Sequence, residues 1–111
     1  MGAVDRLYKK NNKTIQKCIN LEDKLYDKLK IMIEKDYDAT ISDMINVSVE
    51  DYIDRNKPTF YGKPKDETVT YRSIMIREEN LKGLQKFHDK TGISITRLLN
   101  GAVKEFLEQN R

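Results

Sequence analysis

A chain of 111 residues, 35% charged and 8% aromatic, has room for one ordinary domain or two very small ones and suits a small helix-rich fold. Its formal charge of +3 permits a nucleic-acid partner without requiring one, and a single cysteine, Cys18, excludes an intramolecular disulfide framework and points to a reducing compartment. No apolar run approaches the roughly 18 residues of a spanning helix, and the N-terminus lacks a signal-peptide core. Arg6 stands where a myristoylation signal wants Ser or Thr. A cytoplasmic protein with no membrane partner is expected.

Residues 1–12 have no sustained period and end in Tyr8-Lys9-Lys10-Asn11-Asn12. They read as a flexible basic arm, either a solvated tail or an arm that touches DNA phosphates or a minor groove. Thr14 to Leu21 then alternates, which predicts a strand. Ile15, Ile19 and Leu21 share one side with Lys17 interrupting them; Thr14, Gln16, Cys18 and Asn20 take the other. Glu22 and Asp23 place negative charge where a helix N-terminus favours it. Leu25, Leu29, Met32 and Ile33 give a helical stripe to about Lys35. Asp36-Tyr37-Asp38-Ala39 breaks it, and Thr40 with Asp43 resembles a capping box. The next helix carries Ile41, Met44, Ile45, Val49, Tyr52 and Ile53.

Pro58, Gly62 and Pro64 mark 57–67 as a linker. Thr70 to Arg77 reads as a second strand. Leu81, Leu84 and Phe87 recur at helical spacing up to Lys90, and Thr91-Gly92-Ile93 breaks that helix. Ser94 caps a last one with Ile95, Leu98, Leu99, Ala102, Val103 and Phe106.

The second half repeats the plan of the first. Lys17 matches Arg72, Ile19 matches Ile74, Leu21 matches Ile76 and Leu29 matches Leu84. After one extra residue in the first half, Thr40 matches Ser94, Asn46 matches Asn100 and Tyr52 matches Phe106. The expected units are a first repeat at 13–56 and a second at 68–111. Their charges differ in sign: seven bases and ten acids in 13–56 against eight bases and five acids in 68–111. Identical jobs are therefore not expected of them.

A strand with two short helices cannot bury enough apolar surface alone, and its strand has two open edges. Pairing two copies answers both needs. The strands form a two-stranded antiparallel ribbon over four helices, with Ile19, Leu21, Ile74 and Ile76 on the core. The opposite face stays bare and is about as wide as a DNA major groove. Lys17 and Arg72, on the apolar side near the strand starts, are expected to snorkel toward a DNA backbone. The N-termini of the second helices, at Thr40, Ile41 and Ser42 and at Ser94, Ile95 and Thr96, offer N–H groups to a phosphate. Arg97, set against Asp43, favours the second half as the tighter clamp.

The strand ending Ile76-Arg77-Glu78-Glu79-Asn80-Leu81-Lys82-Gly83-Leu84, followed by Gly92-Ile93-Ser94-Ile95-Thr96 and then Leu98, Leu99 and Ala102, resembles the ribbon-helix-helix family, the group of Arc, MetJ and CopG. The first half departs from the pattern, with Tyr37 or Asp38 near the glycine position, Thr40 for the serine and Ser48 for the alanine. The resemblance implies a tandem, mostly α protein whose two ribbon-helix-helix repeats form an intramolecular pseudo-dimer, as in some conjugative-plasmid accessory proteins. It also implies sequence-specific binding of double-stranded DNA, in a transcriptional regulator (a repressor) or a plasmid or conjugation accessory factor. The base-reading residues it implies are Gln16, Cys18 and Asn20 from the first strand, and Tyr71, Ser73 and Met75 from the second.

Enzyme is the least supported class. One histidine and one cysteine build no dyad, there is no phosphate-cradling glycine run, and His88 reads as structural. No cofactor, metal or small-molecule substrate is expected. The rival reading is a protein-interaction module of an antitoxin-like or relaxosome-like complex, with the acidic first repeat docking a protein or a second copy.

Overall fold

The alternation of Thr14–Leu21 and its counterpart at 70–77 produces two paired strands, and the periodic segments after each produce two helices apiece. A computed structural model describes residues 13–36, 39–56 and 68–109. The expected basic arm (1–12), the linker (57–67) and residues 37–38 of the first break lie outside the described residues. The element order is β1 (Thr14–Glu22), α1 (Asp23–Asp36), α2 (Ile41–Arg55), β2 (Val69–Arg77), α3 (Glu78–Thr91) and α4 (Ile95–Gln109). The protein is mostly helical, with a single two-stranded antiparallel sheet among the described residues.

The register pairs Thr14 with Arg77, Cys18 with Ser73 and Glu22 with Val69. Adding 55 to any residue of β1 gives its counterpart on β2, and this exchange maps the register onto itself about the Cys18–Ser73 pair. The two strands also share one burial pattern, with Ile19 and Leu21 buried on β1 and Ile74 and Ile76 on β2. Strand periodicity fixes this. Slipping either strand by one residue would turn its two buried apolar side chains into water.

Beneath the ribbon the helices bury one continuous core. Leu29, Met44, Ile45, Tyr52, Leu84, Leu98, Leu99 and Phe106 are each at most 1% exposed. Each such side chain is stabilised by roughly 1.5–3 kcal/mol through removal from water. Tyr52 meets Phe87 edge to face, with ring centroids 5.8 Å apart. Gly83 of α3 lies against the Ile53 side chain of α2, so a larger residue there would make Ile53 shift.

Helix ends follow local chemistry. Thr40 and Asp43 form the capping box that their spacing predicts: Asp43 N–H donates to Thr40 Oγ1 and Thr40 N–H to Asp43 Oδ2. Gly92 ends α3 in the left-handed region at φ 77°, and Asn56 ends α2 at φ 51°. The first N–H of α1 donates to Thr68 O and that of α3 to Lys13 O, so each strand's start closes the opposite strand's helix.

Two buried asparagines lock the ribbon to the helices. Asn46 of α2 accepts from Arg77 N–H at 2.8 Å and donates to Met75 O at 2.8 Å, on β2. Asn100 of α4 accepts from Glu22 N–H at 3.0 Å and donates to Asn20 O at 2.9 Å, on β1. Each second helix thus holds the strand from the other half of the chain, through carbonyls and N–H groups that burial would otherwise orphan.

Candidate nucleic-acid interface

Gln16, Cys18, Asn20, Tyr71, Ser73 and Met75 all lie on the exposed face of the ribbon. The register sets them opposite one another as Gln16–Met75, Cys18–Ser73 and Asn20–Tyr71. Gln16 Nε2 donates to Ser73 Oγ at 2.7 Å across the strands. Tyr71 is 69% exposed and Met75 43%, the largest apolar surfaces of this face. Six side chains from two strands therefore form one bare, ordered strip of amides, hydroxyls, a thiol, a thioether and a ring. Such a strip can offer hydrogen bonds and van der Waals surface, and among the described residues no group of three or more His, Cys, Asp or Glu side chains could hold a metal ion.

The N-termini of α2 and α4 flank the strip. Beside α2, a hollow of about 370 Å³ is lined by Ile41, Ser42, Thr70, Tyr71 and Ser73. Ser42 Oγ accepts from Met75 N–H at 3.1 Å, which ties the helix start to the ribbon edge. Thr40 is exposed just before it. Beside α4, a second hollow of about 260 Å³ is lined by Asn20, Val69, Ser94, Thr96 and Arg97. Ser94 Oγ accepts from Arg97 N–H at 3.2 Å and so caps α4. A hydroxyl that accepts in this way keeps its own hydrogen, which an anion could receive. The two helix starts present partial positive charge on either side of the strip.

The two starts differ in charge. The third residue of α2 is Asp43, whose carboxylate is used in the capping box; the third residue of α4 is Arg97. The α4 side is the more electropositive of the two.

Lys17 and Arg72 sit at matched positions on the core side of the strands, both half-buried. Their surroundings diverge. Arg72 Nη2 lies 3.3 Å from Asp23 Oδ1, and the guanidinium stacks 3.6 Å from the Tyr26 ring centroid. Asp23 also accepts from Thr68 Oγ1 at 2.7 Å and Thr70 Oγ1 at 2.6 Å. These two hydroxyls, with Arg72, hold its carboxyl below the usual carboxylate range. Arg72 is thus partnered by Asp23 and Tyr26 while its side chain, 27% exposed, also lines the hollow beside α2.

Sequence reasoning missed the buried polar layer beneath the strip. Glu22 is 6% exposed and closes β1 rather than leading α1, and Arg77 is 6% exposed at the end of β2. Arg77 pairs with Glu50 on α2, and Asn80 Nδ2 donates to Asn46 Oδ1 at 2.9 Å. The one signal in the sequence was the match of Asn46 with Asn100, two polar residues at one position of an otherwise apolar stripe.

Comparison with protein-family models, with curated proteins and with solved structures found no match for this chain. No helix among the described residues is long and apolar enough to cross a membrane.

Proposed function

We propose that this chain is a single-chain, two-repeat ribbon-helix-helix protein that binds double-stranded DNA by laying the β1–β2 ribbon in the major groove. The observation that carries the reading is the bare strip: six exposed side chains in register, flanked on both sides by helix N-termini. A two-stranded ribbon fits the width of the groove. Gln16 and Asn20 have the paired donor and acceptor that adenine matches, Ser73 bonds several base edges, and Met75 packs on a thymine methyl. Phosphates on the two sides would meet Thr40 and Ser42 at α2, and Ser94, Thr96 and Arg97 at α4.

The matched positions carry different residues: Gln16 against Tyr71, Cys18 against Ser73, Asn20 against Met75. A homodimer presents the same residues twice and reads a two-fold site. This pseudo-dimer would read a non-palindromic one and fold independently of concentration. Such a protein acts as a transcriptional regulator, repressing by occupying its site, or as a plasmid or conjugation accessory factor.

Selection of bound duplexes from a random pool, followed by salt titration of the winner, tests this. An asymmetric consensus and an affinity falling with log[salt] at a slope of about −0.9 per phosphate contacted are expected. Absence of duplex binding at low salt would refute the reading and leave the protein-interaction role.

A further inference from the structure

The surfaces that join the two halves are nearly the same surface used twice. Ile19, Leu21 and Leu29 are answered by Ile74, Ile76 and Leu84, and all six are buried. Asn46 and Asn100 make matching bonds to the strand ends. Apolar packing and backbone geometry would accept a first half with the first half of another copy, or two second halves, about as well as the pairing within one chain. Something else must select.

The surface ion pairs do not. Asp23 holds Arg72, and like-with-like pairing would set Lys17 against Asp23, or Arg72 against Glu78. Charges of opposite sign would meet either way.

The buried layer does discriminate. Arg77, at the end of β2, pairs with Glu50, one turn beyond Asn46 on α2. The side chains of that pair are 7% and 12% exposed, and Asn80 Nδ2 supports Glu50 Oε2 at 3.3 Å. At the matched places stand Glu22, at the end of β1 and 6% exposed, and Lys104, one turn beyond Asn100 on α4 and exposed. The strand-end charge and the helix charge are reversed between the halves. Two first halves would set Glu22 against Glu50; two second halves would set Arg77 against Lys104. The first sets two carboxylates together at the nearly dry site of Glu50, and the second takes from the buried Arg77 its carboxylate partner and sets a cation beside it; both are disfavoured.

We propose that Glu22, Glu50, Arg77 and Lys104 form a charge code by which each half accepts the other half and rejects its own kind in a second copy. The proposal rests on the tandem pairing described above and not on DNA binding. It confines self-association of this protein to contacts that leave the β1–β2 ribbon intact.

The test recodes the layer in the full chain. Glu50→Lys with Lys104→Glu makes each half complementary to itself. Sedimentation should then show the mass rise from 13.1 kDa to at least twice that value. Like pairing of two β1 strands also brings two copies of Cys18 face to face, so mild oxidation should yield covalent dimers that the parent protein does not form. Adding Glu22→Arg and Arg77→Glu restores opposite charges within the chain and should return the single mass. A double variant that unfolds, with a fourfold variant that refolds to a monomer, also supports the code. A double variant that stays monomeric with an unchanged unfolding midpoint overturns it, as does a fourfold variant no better than the double. The tandem pairing has its own control: Ser73→Cys in the parent should oxidise to a disulfide with Cys18, and failure there would refute the pairing itself.

Discussion

The starts of α2 and α4 hold corresponding places beside the ribbon, yet they are finished differently. At α2 the cap is a closed pair, Thr40 with Asp43, and its charge is negative. At α4 the cap is Ser94, and the residue matched to Asp43 is Arg97. Beneath these unlike ends the backbone is treated alike: Asn46 and Asn100 bond the strands in the same manner, and Thr68 and Lys13 close the first helices in the same manner. Symmetry is kept where the fold needs it and dropped at the exposed helix starts. A chain that carries both halves is free to do this, because neither half must match a copy of itself.

The largest effect should come from breaking what the halves share. Asn46→Ala orphans Arg77 N–H and Met75 O and strips a partner from Asn80, whereas Asn100→Ala orphans Glu22 N–H and Asn20 O. Each unsatisfied buried group costs about 1–3 kcal/mol. Urea unfolding should therefore show Asn100→Ala destabilised by about 2–6 kcal/mol and Asn46→Ala by more. Equal losses would mean that the Asn80 bond contributes nothing.

Next in size is the difference in charge at the helix starts. If the duplex lies across both, Arg97→Ala should weaken DNA binding by about tenfold and lower the salt slope by about one contact. Asp43→Asn, which keeps an acceptor for Thr40 N–H while removing the charge, should strengthen binding severalfold, by removing like-charge repulsion of about 1 kcal/mol. Fluorescence anisotropy on the selected duplex measures both. Equal and opposite effects at the wrong residues would reverse the assignment of the tighter side.

Gly92→Ala offers a smaller and purely local contrast. It forces a side chain into a left-handed cap at φ 77°, with nothing within 4 Å of the new Cβ, so the cost is conformational alone. A loss of about 1 kcal/mol in urea unfolding is expected. A neutral result would show the cap relaxing.

How much of this was legible in the sequence depends on whether the signal was local. The strands, the four helices, the capping box and the buried set Ile19, Leu21, Ile74 and Ile76 all follow from period and cap chemistry, which act within a few residues. The exposed places of Gln16, Cys18, Asn20, Tyr71, Ser73 and Met75 follow from the same alternation. The buried polar layer did not show. Glu50 and Arg77 are 27 residues apart and Asn100 and Glu22 are 78 apart, and a polar residue on a helical stripe looks by period like a solvated one. Arg72 was hidden for the same reason, since Asp23 stands 49 residues away.

The smallest effect contrasts the first residues of α1 and α3. Asp23 accepts from Thr68, Thr70 and Arg72, while its counterpart Glu78 meets Lys82 one turn along its own helix at 3.4 Å. Asp23 is held below its ordinary value of 3.8, chiefly by the Thr68 and Thr70 hydroxyls. A carboxyl lowered in the folded state contributes stability that is fully present above the unfolded value and is lost as pH falls through the folded one. Asp23→Asn should therefore be less stable than the parent from pH 7 down to about 4. Below that the gap should close as the parent's own carboxylate is protonated. Glu78→Gln at pH 7 should change stability little, because an exposed pair on one helix is worth only a few tenths of a kcal/mol. Urea midpoints for the three proteins from pH 2.5 to 7 decide it. A gap for Asp23→Asn that widens in acid would mean the hydroxyls favour the protonated carboxyl, and the strand-to-helix tie would then be a neutral hydrogen bond rather than a charged one.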